Sequence, residues 1–241
     1  MTKHVINAET TRRRISSDLL SLVQILQNGS SGVVLNPDVL ASAAYQANRS
    51  KKTPDWSYDV ADLHFQVATP QNVLPYECGK LLNIYMDLEL RGVCNDELDD
   101  CLTGLILQIR IETETKKNIC SWHFDRHIDD GESEATVEAH PQYHFQHGGH
   151  AMKHLSLGNT LLLPAPRLAF PPMDAVLAID FILSNFAGLC WQELRNEATY
   201  SRLIKEAQRR HWKPYLMRLA SWWEQGPKDE GKIQALWPHL V

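Results

Sequence analysis

The spacing of apolar residues predicts helices at both ends of the chain. In residues 11–28 apolar side chains recur every three or four positions, and Asn28-Gly29 supplies a helix stop. Pro37 suits the first turn of a second, shorter helix. Toward the C-terminus the pattern predicts a helix that Gly188 ends and a further helical stretch in two pieces that break near Pro214.

The middle of the chain is richer in β-forming residues. Residues 60–68 alternate weakly between apolar and polar positions, which indicates a strand, whereas residues 77–90 fit another helix closed by Gly92. The remaining strands are predicted at residues 103–114, 119–127, 142–147 and 159–163.

This order of elements predicts the fold class. The chain divides into helical, β-rich and helical parts at residues 1–95, 100–165 and 172–225. Such segregation is typical of α+β folds, in which helices cover a sheet. We therefore predict a single α+β domain over residues 1–241, with a mostly antiparallel sheet between N- and C-terminal helices.

Composition excludes several classes of protein. The 241 residues include 24 basic and 29 acidic side chains, a net charge of −5, which argues against a protein that coats nucleic acid indiscriminately. The longest apolar run has five residues, whereas a transmembrane helix needs about 20. The N-terminus lacks the apolar core of a secretory signal, and no C-x-x-C pair occurs among the five cysteines. We expect a cytoplasmic protein with reduced thiols and no membrane partner.

Histidines are concentrated in one short segment. Seven of the eleven lie between His123 and His154. Alternate residues of a strand share a face, so His123, Asp125 and His127 would point the same way. His140 and His144 belong to a second polar row downstream, and antiparallel pairing of the two segments would bring both rows into one cleft.

Two kinds of chemistry suit such a cleft. Imidazoles and a carboxylate bind divalent transition metals, and we predict zinc or manganese on His123, His127 and His144. Without a metal, histidines act as general acid and base near neutral pH. The predicted catalytic residues are His123, Asp125, His127, His140 and His144, and the predicted phosphate-neutralising residues are Arg126, Lys153 and Arg167. A polar strand face is also what an ordinary solvated sheet presents.

Charge is distributed unevenly along the chain. Between Asp87 and Glu138 there are fourteen acidic and five basic residues, whereas between Arg195 and Arg218 there are seven basic and two acidic ones. A basic helix with interleaved aromatic residues can bind nucleic acid or a protein partner. The residues predicted for that role are Arg202, Lys205, Arg209, Arg210 and Lys213.

Short motifs over residues 100–187 resemble a bacterial protein family of unknown function. The family pattern has a strand aspartate, then H-P-x-x-H-x-x-x-G, a proline-flanked strand and a helix with D-F-I-L-x-N-F. The matching positions are Asp125, His140, Pro141, His144, Gly148, Pro164, Asp180, Phe181, Ile182, Leu183, Asn185 and Phe186. His147, His150 and His154 lie outside this pattern. The resemblance implies a bacterial accessory protein of the kind found near mobile or defence genes, without implying an activity.

Two functions from different classes follow from the sequence. The first is a metal-assisted or metal-free phosphodiesterase or nuclease that uses the histidines. The second is a non-catalytic adaptor or scaffold subunit of a nucleic-acid-processing complex for anti-phage or plasmid defence, in which the basic helix contacts a protein partner or DNA. Because no G-x-G-x-x-G, P-loop or G-x-S-x-G occurs, dinucleotide-binding, NTPase and common hydrolase functions lack support.

Overall fold

The structure is a computed structural model. It describes residues 8–29, 32–49, 53–71, 73, 79–94, 100–127, 139–148, 152–156, 167–223 and 236–238.

Five α-helices lie at the two ends of the chain, as the apolar spacing predicts. They are α1 (Ala8–Gly29), α2 (Val39–Ala47), α3 (Ala175–Phe186), α4 (Gly188–Asn196) and α5 (Ala198–Ala220), and a short 3₁₀ turn at Ser221–Trp223 follows. The predicted break near Pro214 is wrong, because α5 continues through that residue. The break lies at Glu197, whose extended backbone ends α4 and whose side chain accepts the N–H of Tyr200 to cap α5.

Six strands form one antiparallel sheet in chain order. They are β1 (Asp55–Ala68), β2 (Leu81–Val93), β3 (Leu102–Thr113), β4 (Ile119–Arg126), β5 (Tyr143–His147) and β6 (Leu168–Ala169). The α+β prediction, with an antiparallel sheet between terminal helices, is confirmed. The predicted strand at 159–163 lies outside the described residues.

The helix predicted over residues 77–90 is wrong, and so is the helical boundary at residue 95, since β1 and β2 occupy much of that region. Leucine, methionine and glutamate favour helices intrinsically. The apolar residues of β2, however, repeat every second position and all face the core. They are Leu82, Ile84, Met86, Leu88 and Leu90. Burial of this period-two face outweighs the helical preference of its residues.

Helices cover one face of the sheet. Phe145 of β5 stacks on Phe181 of α3 with ring centroids 5.0 Å apart, and Tyr143 contacts Tyr215 of α5 edge-on. Phe124 of β4 is fully buried on the same face. The opposite face, here called the open face, carries the alternate residues of each strand, and these are largely polar. They include Tyr85, Asp87, Glu89, Gln108, Arg110, His123, Asp125 and His144.

The outer edge of β1 is occupied by other parts of the chain. Leu35 donates its N–H to the carbonyl of His64, and Gln66 donates to the carbonyl of Val33. The Gln46 side chain accepts the N–H of Asp59. A bulge interrupts the register between Val60 and Leu63. This long edge strand is therefore hydrogen-bonded on both sides over part of its length.

A buried aspartate joins the three C-terminal helices. Asp180 of α3 accepts two hydrogen bonds from the guanidinium of Arg195, at 2.9 and 2.6 Å. It also accepts from Trp191 Nε1 at 2.9 Å and from the Tyr200 hydroxyl at 3.2 Å. Four donors from α4 and α5 therefore converge on one carboxylate.

None of the helices in the described parts of the chain has both the length and the apolar character needed to cross a bilayer.

Candidate acid–base site on the open face

Pairing of β4 with β5 brings the predicted site residues together. The two strands are antiparallel, with Asp125 opposite His144 and His123 opposite Gln146. His127 follows the end of β4, and His140 precedes β5. Their rings stack with centroids 3.8 Å apart, and the His140 ring meets that of His144 edge-on at 4.6 Å. All five residues predicted from the sequence therefore belong to one group, here called the histidine cluster (His123, Asp125, His127, His140, His144).

Asp125 lies between two imidazoles. Its Oδ1 is 3.1 Å from Nε2 of His144, and its Oδ2 is 3.6 Å from Nε2 of His123. The side chain of His144 is only 1% exposed, whereas those of His123 and Asp125 are 24% and 34% exposed. The cluster is thus closed at His144 and open to solvent at Asp125.

A backbone hydrogen bond fixes the tautomer of neutral His144. Its Nδ1 lies 3.0 Å from the carbonyl oxygen of Pro141, and because a carbonyl only accepts, Nδ1 must carry the hydrogen. The lone pair of Nε2 then faces Oδ1 of Asp125, a buried oxygen that receives no hydrogen bond from any described residue. Two acceptors at this distance repel each other unless they share a proton. One proton is therefore held between the two atoms, and it can lie on Oδ1 of Asp125 or on Nε2 of His144.

The pKa values in the cluster are shifted in the direction that such exchange requires. Burial lowers the pKa of His144 to about 4, with the charge of Arg167 adding to the effect and the Pro141 hydrogen bond opposing it. Burial and the neighbouring His127 lower the pKa of His140 to about 4. Burial raises the pKa of the Asp125 carboxyl, although the surrounding histidines oppose this. At neutral pH the imidazoles of the part-exposed His140 and the buried His144 are uncharged bases beside a carboxyl that holds its proton more readily than usual.

Arg167 adds a positive charge to the cluster. It directly precedes β6, whose Ala169 pairs with His144, and its charge acts on Asp125, His140 and His144. Its Nε and Nη1 atoms are buried and have no hydrogen-bond partner among the described residues. Buried guanidinium nitrogens without an acceptor are costly.

The other two predicted cations do not join the cluster. Arg126 lies over the Tyr143 ring on the helix-covered face, with its Nε 3.6 Å from Asp100 Oδ2. Lys153 is exposed. Of the three predicted cations, Arg167 reaches the cluster because it directly precedes β6, which pairs with the histidine-bearing β5. A two-residue strand gives no periodic pattern from which this pairing could be predicted.

The additional histidines of the segment are also elsewhere. His147 points to the helix-covered face, where its ring meets Trp122 edge-on and its Nε2 is 3.5 Å from Cys120 Sγ. His154 is exposed, and His150 lies outside the described residues.

A metal site is not evident in the cluster. Across the parts of the chain that the structure describes, no three His, Cys, Asp or Glu side chains are arranged to hold a metal ion. His123 and His144 both direct Nε2 at the Asp125 carboxyl, and the His127 ring is stacked on His140. As placed, the predicted ligands His123, His127 and His144 do not surround a common point.

The predicted basic helix divides into exposed and buried residues. Arg202, Lys205, Arg209 and Lys213 are exposed along one side of α5. Arg210 instead packs inward, 2.9 Å from Asp18 of α1 and 3.8 Å from Asp174, the residue that caps α3. Arg210 therefore holds helices together and is not presented to a partner.

Comparison of the chain with protein-family models, curated proteins and solved structures found no match.

The shifted imidazoles predict how stability depends on pH. Folding lowers the pKa of His140 and His144 from 6.5 to about 4, so between these values the unfolded chain binds protons that the folded chain does not. Stability therefore falls as pH decreases through this window. We expect the Tm of the wild type to decrease between neutral pH and the lower end of this window. In His140→Gln/His144→Gln this decrease should be smaller. The measurement is thermal unfolding followed by circular dichroism.

The exposed His154 provides the matched control for this experiment. The Tm of His154→Gln should decrease as much as that of the wild type over the same window. An equal decrease of Tm in the double variant and the wild type would show that His140 and His144 do not titrate as described.

Proposed function

We propose that the histidine cluster and Arg167 form a phosphodiester-cleaving site, and that the protein is a phosphodiesterase or nuclease. The observation that supports this most strongly is a pair of buried Arg167 nitrogen atoms, unpartnered among the described residues, beside uncharged imidazoles. The planar guanidinium matches the oxygens of a phosphate, which would satisfy the unused donors. The bacterial defence setting implied by the sequence resemblance remains a prediction.

The cluster contains the groups that phosphodiester cleavage requires. A neutral imidazole removes the proton of the attacking water or hydroxyl as the new P–O bond forms. A protonated imidazole or the Asp125 carboxyl gives a proton to the leaving oxygen as the old P–O bond breaks. Arg167 balances the charge of the non-bridging oxygens. Because Asp125 lies between His123 and His144, it can pass protons between them and restore the starting state.

The metal-assisted form predicted from the sequence is a distinct proposal. Zinc or manganese on His123, His127 and His144 would require these side chains to rotate away from their present contacts. Elemental analysis of the purified protein, with cleavage measured before and after chelation, separates the two forms. Activity that persists after chelation supports proton transfer by the cluster alone, and stoichiometric metal with activity lost on chelation supports the metal-assisted form.

The role of Arg167 is tested by Arg167→Met, which keeps the length and apolar stem of the side chain. A charge-assisted hydrogen bond contributes about 1.5–3 kcal/mol, so we expect kcat/KM for bis(p-nitrophenyl) phosphate to fall roughly 10- to 150-fold. The measurement is the initial rate of nitrophenolate release, with folding checked by circular dichroism.

Arg202→Met is the control, since Arg202 is exposed on α5 and its loss should leave the rate unchanged. An inactive wild type would contradict the proposed function. Equal rates for Arg167→Met and the wild type would contradict the role given to Arg167.

The adaptor function is the second candidate, and one observation favours it. Arg14 of α1 forms an ion pair with Glu206 of α5, which also pairs with Arg209 at 3.0 Å. This contact joins the exposed Arg13 and Arg14 of α1 to the exposed basic residues of α5 in one strip. Such a strip suits a partner with acidic groups.

A further inference from the structure

One row of residues crosses the open face and ends in the histidine cluster. Strand pairing places Asp59 opposite Glu89, Glu89 opposite Ile106, Ile106 opposite Asp125, and Asp125 opposite His144. Neighbouring strands lie about 4.8 Å apart, so Glu89 is about 10 Å from Asp125 across the sheet. The row continues to Ala169 of β6, close to Arg167.

The part of this row away from the cluster is acidic. Asp59 and Glu89 belong to the row, and Asp62 and Asp87 lie beside it on the same two strands. All four residues are exposed and are here called the acidic patch. Asp59 and Glu89 are direct cross-strand neighbours, an arrangement of like charges that destabilises a sheet. This pair of carboxylates makes the surface at β1 and β2 repel anions.

Nearby cations neutralise the patch only in part. Arg91 lies 3.6 Å from Glu89, and Arg110 lies 3.8 Å from Asp62 while also pairing with Glu112. Counting Glu112 with the patch, five carboxylates face two guanidinium groups, which leaves a net charge of three negative on these seven residues. Both Arg91 and Glu89 are more than half exposed, so this pair is weak.

Between the acidic patch and the cluster lies an exposed apolar side chain. Ile106 is 56% exposed, although it is flanked in its row by Glu89 and Asp125. An isoleucine in this position offers van der Waals contact to a flat, uncharged group such as a nucleobase or an aromatic leaving group. The surface of the open face next to Asp125 therefore accepts an uncharged group. The acidic patch beyond Ile106 repels an anion.

From this arrangement, which rests on the proposed function, we infer the size and charge of the substrate. We propose that the site takes small phosphodiesters, of the size of a dinucleoside monophosphate, and excludes polynucleotides. With one phosphate at Arg167, the neutral part of a small diester covers Ile106. A longer strand adds phosphates at intervals of about 3.4 Å along a duplex axis, and those extending across the sheet would meet the acidic patch.

The exposed basic residues of α5 do not offset the exclusion of polynucleotides, because α5 lies on the other side of the sheet. Helix α5 packs on the face that carries Tyr143, opposite to His144. A strand bound along Arg202, Lys205 and Arg209 would therefore be separated from the cluster by the sheet itself.

The test compares a dinucleotide with a polymer of the same base. Binding and cleavage of uridylyl-3′,5′-uridine and of an oligouridylate of about 20 nucleotides are measured at low salt, where surface charges act most strongly. We expect the wild type to bind and cleave the dinucleotide and to bind the polymer at least tenfold more weakly. Because salt screens the acidic patch, added salt should reduce the difference in affinity between the dinucleotide and the polymer. Binding of a nucleic acid to a basic surface instead weakens with salt.

Charge reversal identifies the cause of the selectivity. Asp59→Lys/Glu89→Lys should strengthen polymer binding at least tenfold and leave the dinucleotide unchanged. Glu193→Lys makes the same kind of charge change on the exposed surface of α4 and should alter neither. Polymer binding equal to dinucleotide binding in the wild type, or an unchanged ratio in the double variant, overturns the size selectivity while the proposed cleavage stands. Failure to bind either ligand overturns both, and binding of the dinucleotide without cleavage overturns the proposed function.

Discussion

Replacing His144 with glutamine is expected to lower phosphodiester cleavage by roughly 10²- to 10⁴-fold, the usual contribution of a general acid or base. Glutamine fills a similar volume and retains donor and acceptor groups toward Pro141 and Asp125, but it cannot exchange a proton near neutral pH. The loss should appear in kcat rather than KM, because Arg167 still binds the phosphate. The measurement is the rate of bis(p-nitrophenyl) phosphate hydrolysis across a pH series.

The matched control lies three residues away on the same strand. His147 faces the helix-covered side of the sheet and contacts Trp122, so His147→Gln should retain the wild-type rate and pH profile. If both variants lose activity equally, the effect belongs to β5 as a structural element. If neither loses activity, His144 is not a proton-transfer residue.

Asp180→Asn is expected to have the largest effect on stability. Removing one partner of a buried ion pair costs about 3–5 kcal/mol. The lower end applies because Arg195 is 34% exposed and can recover part of its hydration. A loss of about 3 kcal/mol in a chain of this length lowers Tm by roughly 6–12 °C. Thermal unfolding by differential scanning calorimetry checks the value.

A surface ion pair sets the scale for comparison. Glu9 and Arg13 form an exposed i,i+4 pair on α1, and Glu9→Gln should cost less than about 1 kcal/mol. A similar Tm change in both variants would contradict the assignment of Asp180 as the junction of the C-terminal helices.

The meeting of the histidines could be predicted from the sequence because it depends on the simplest property of strands. Alternation places His123 and Asp125 on one face, and a second alternating segment soon after favours an antiparallel partner. Keeping Phe124 and Phe145 on the apolar side excludes registers shifted by one residue, and the observed register sets Asp125 opposite His144.

Other features depend on contacts between distant parts of the chain and could not be predicted in this way. The β2 residues favour a helix in isolation, and only the sheet on both sides selects the extended form. Arg210 resembles its exposed neighbours in the sequence, but its side chain packs inward because it forms an ion pair with Asp18, which is far away along the chain. Arg167 is one of three cations predicted to neutralise phosphate, but its choice over Arg126 and Lys153 depends on β6, which is too short to give a periodic signal.

The C-terminal part of the resemblance pattern, D-F-I-L-x-N-F, lies in α3. Asp180 joins α3 to α4 and α5, and Asn185 donates its side-chain amide to the carbonyl of Phe181. These positions shape the helical layer rather than the histidine cluster. In this chain the D-F-I-L-x-N-F motif therefore serves the helical layer, and the family resemblance itself stays a prediction.

The hydrogen bonds along the outer side of β1 restrict how this molecule can assemble. An uncovered strand of 14 residues would invite another chain to extend the sheet, the route by which many β-proteins aggregate. Here residues 33–35 and the Gln46 side chain have already taken several of the groups that such a chain would need. Growth of the sheet by strand addition is therefore blocked over this stretch, and association there must proceed through side chains.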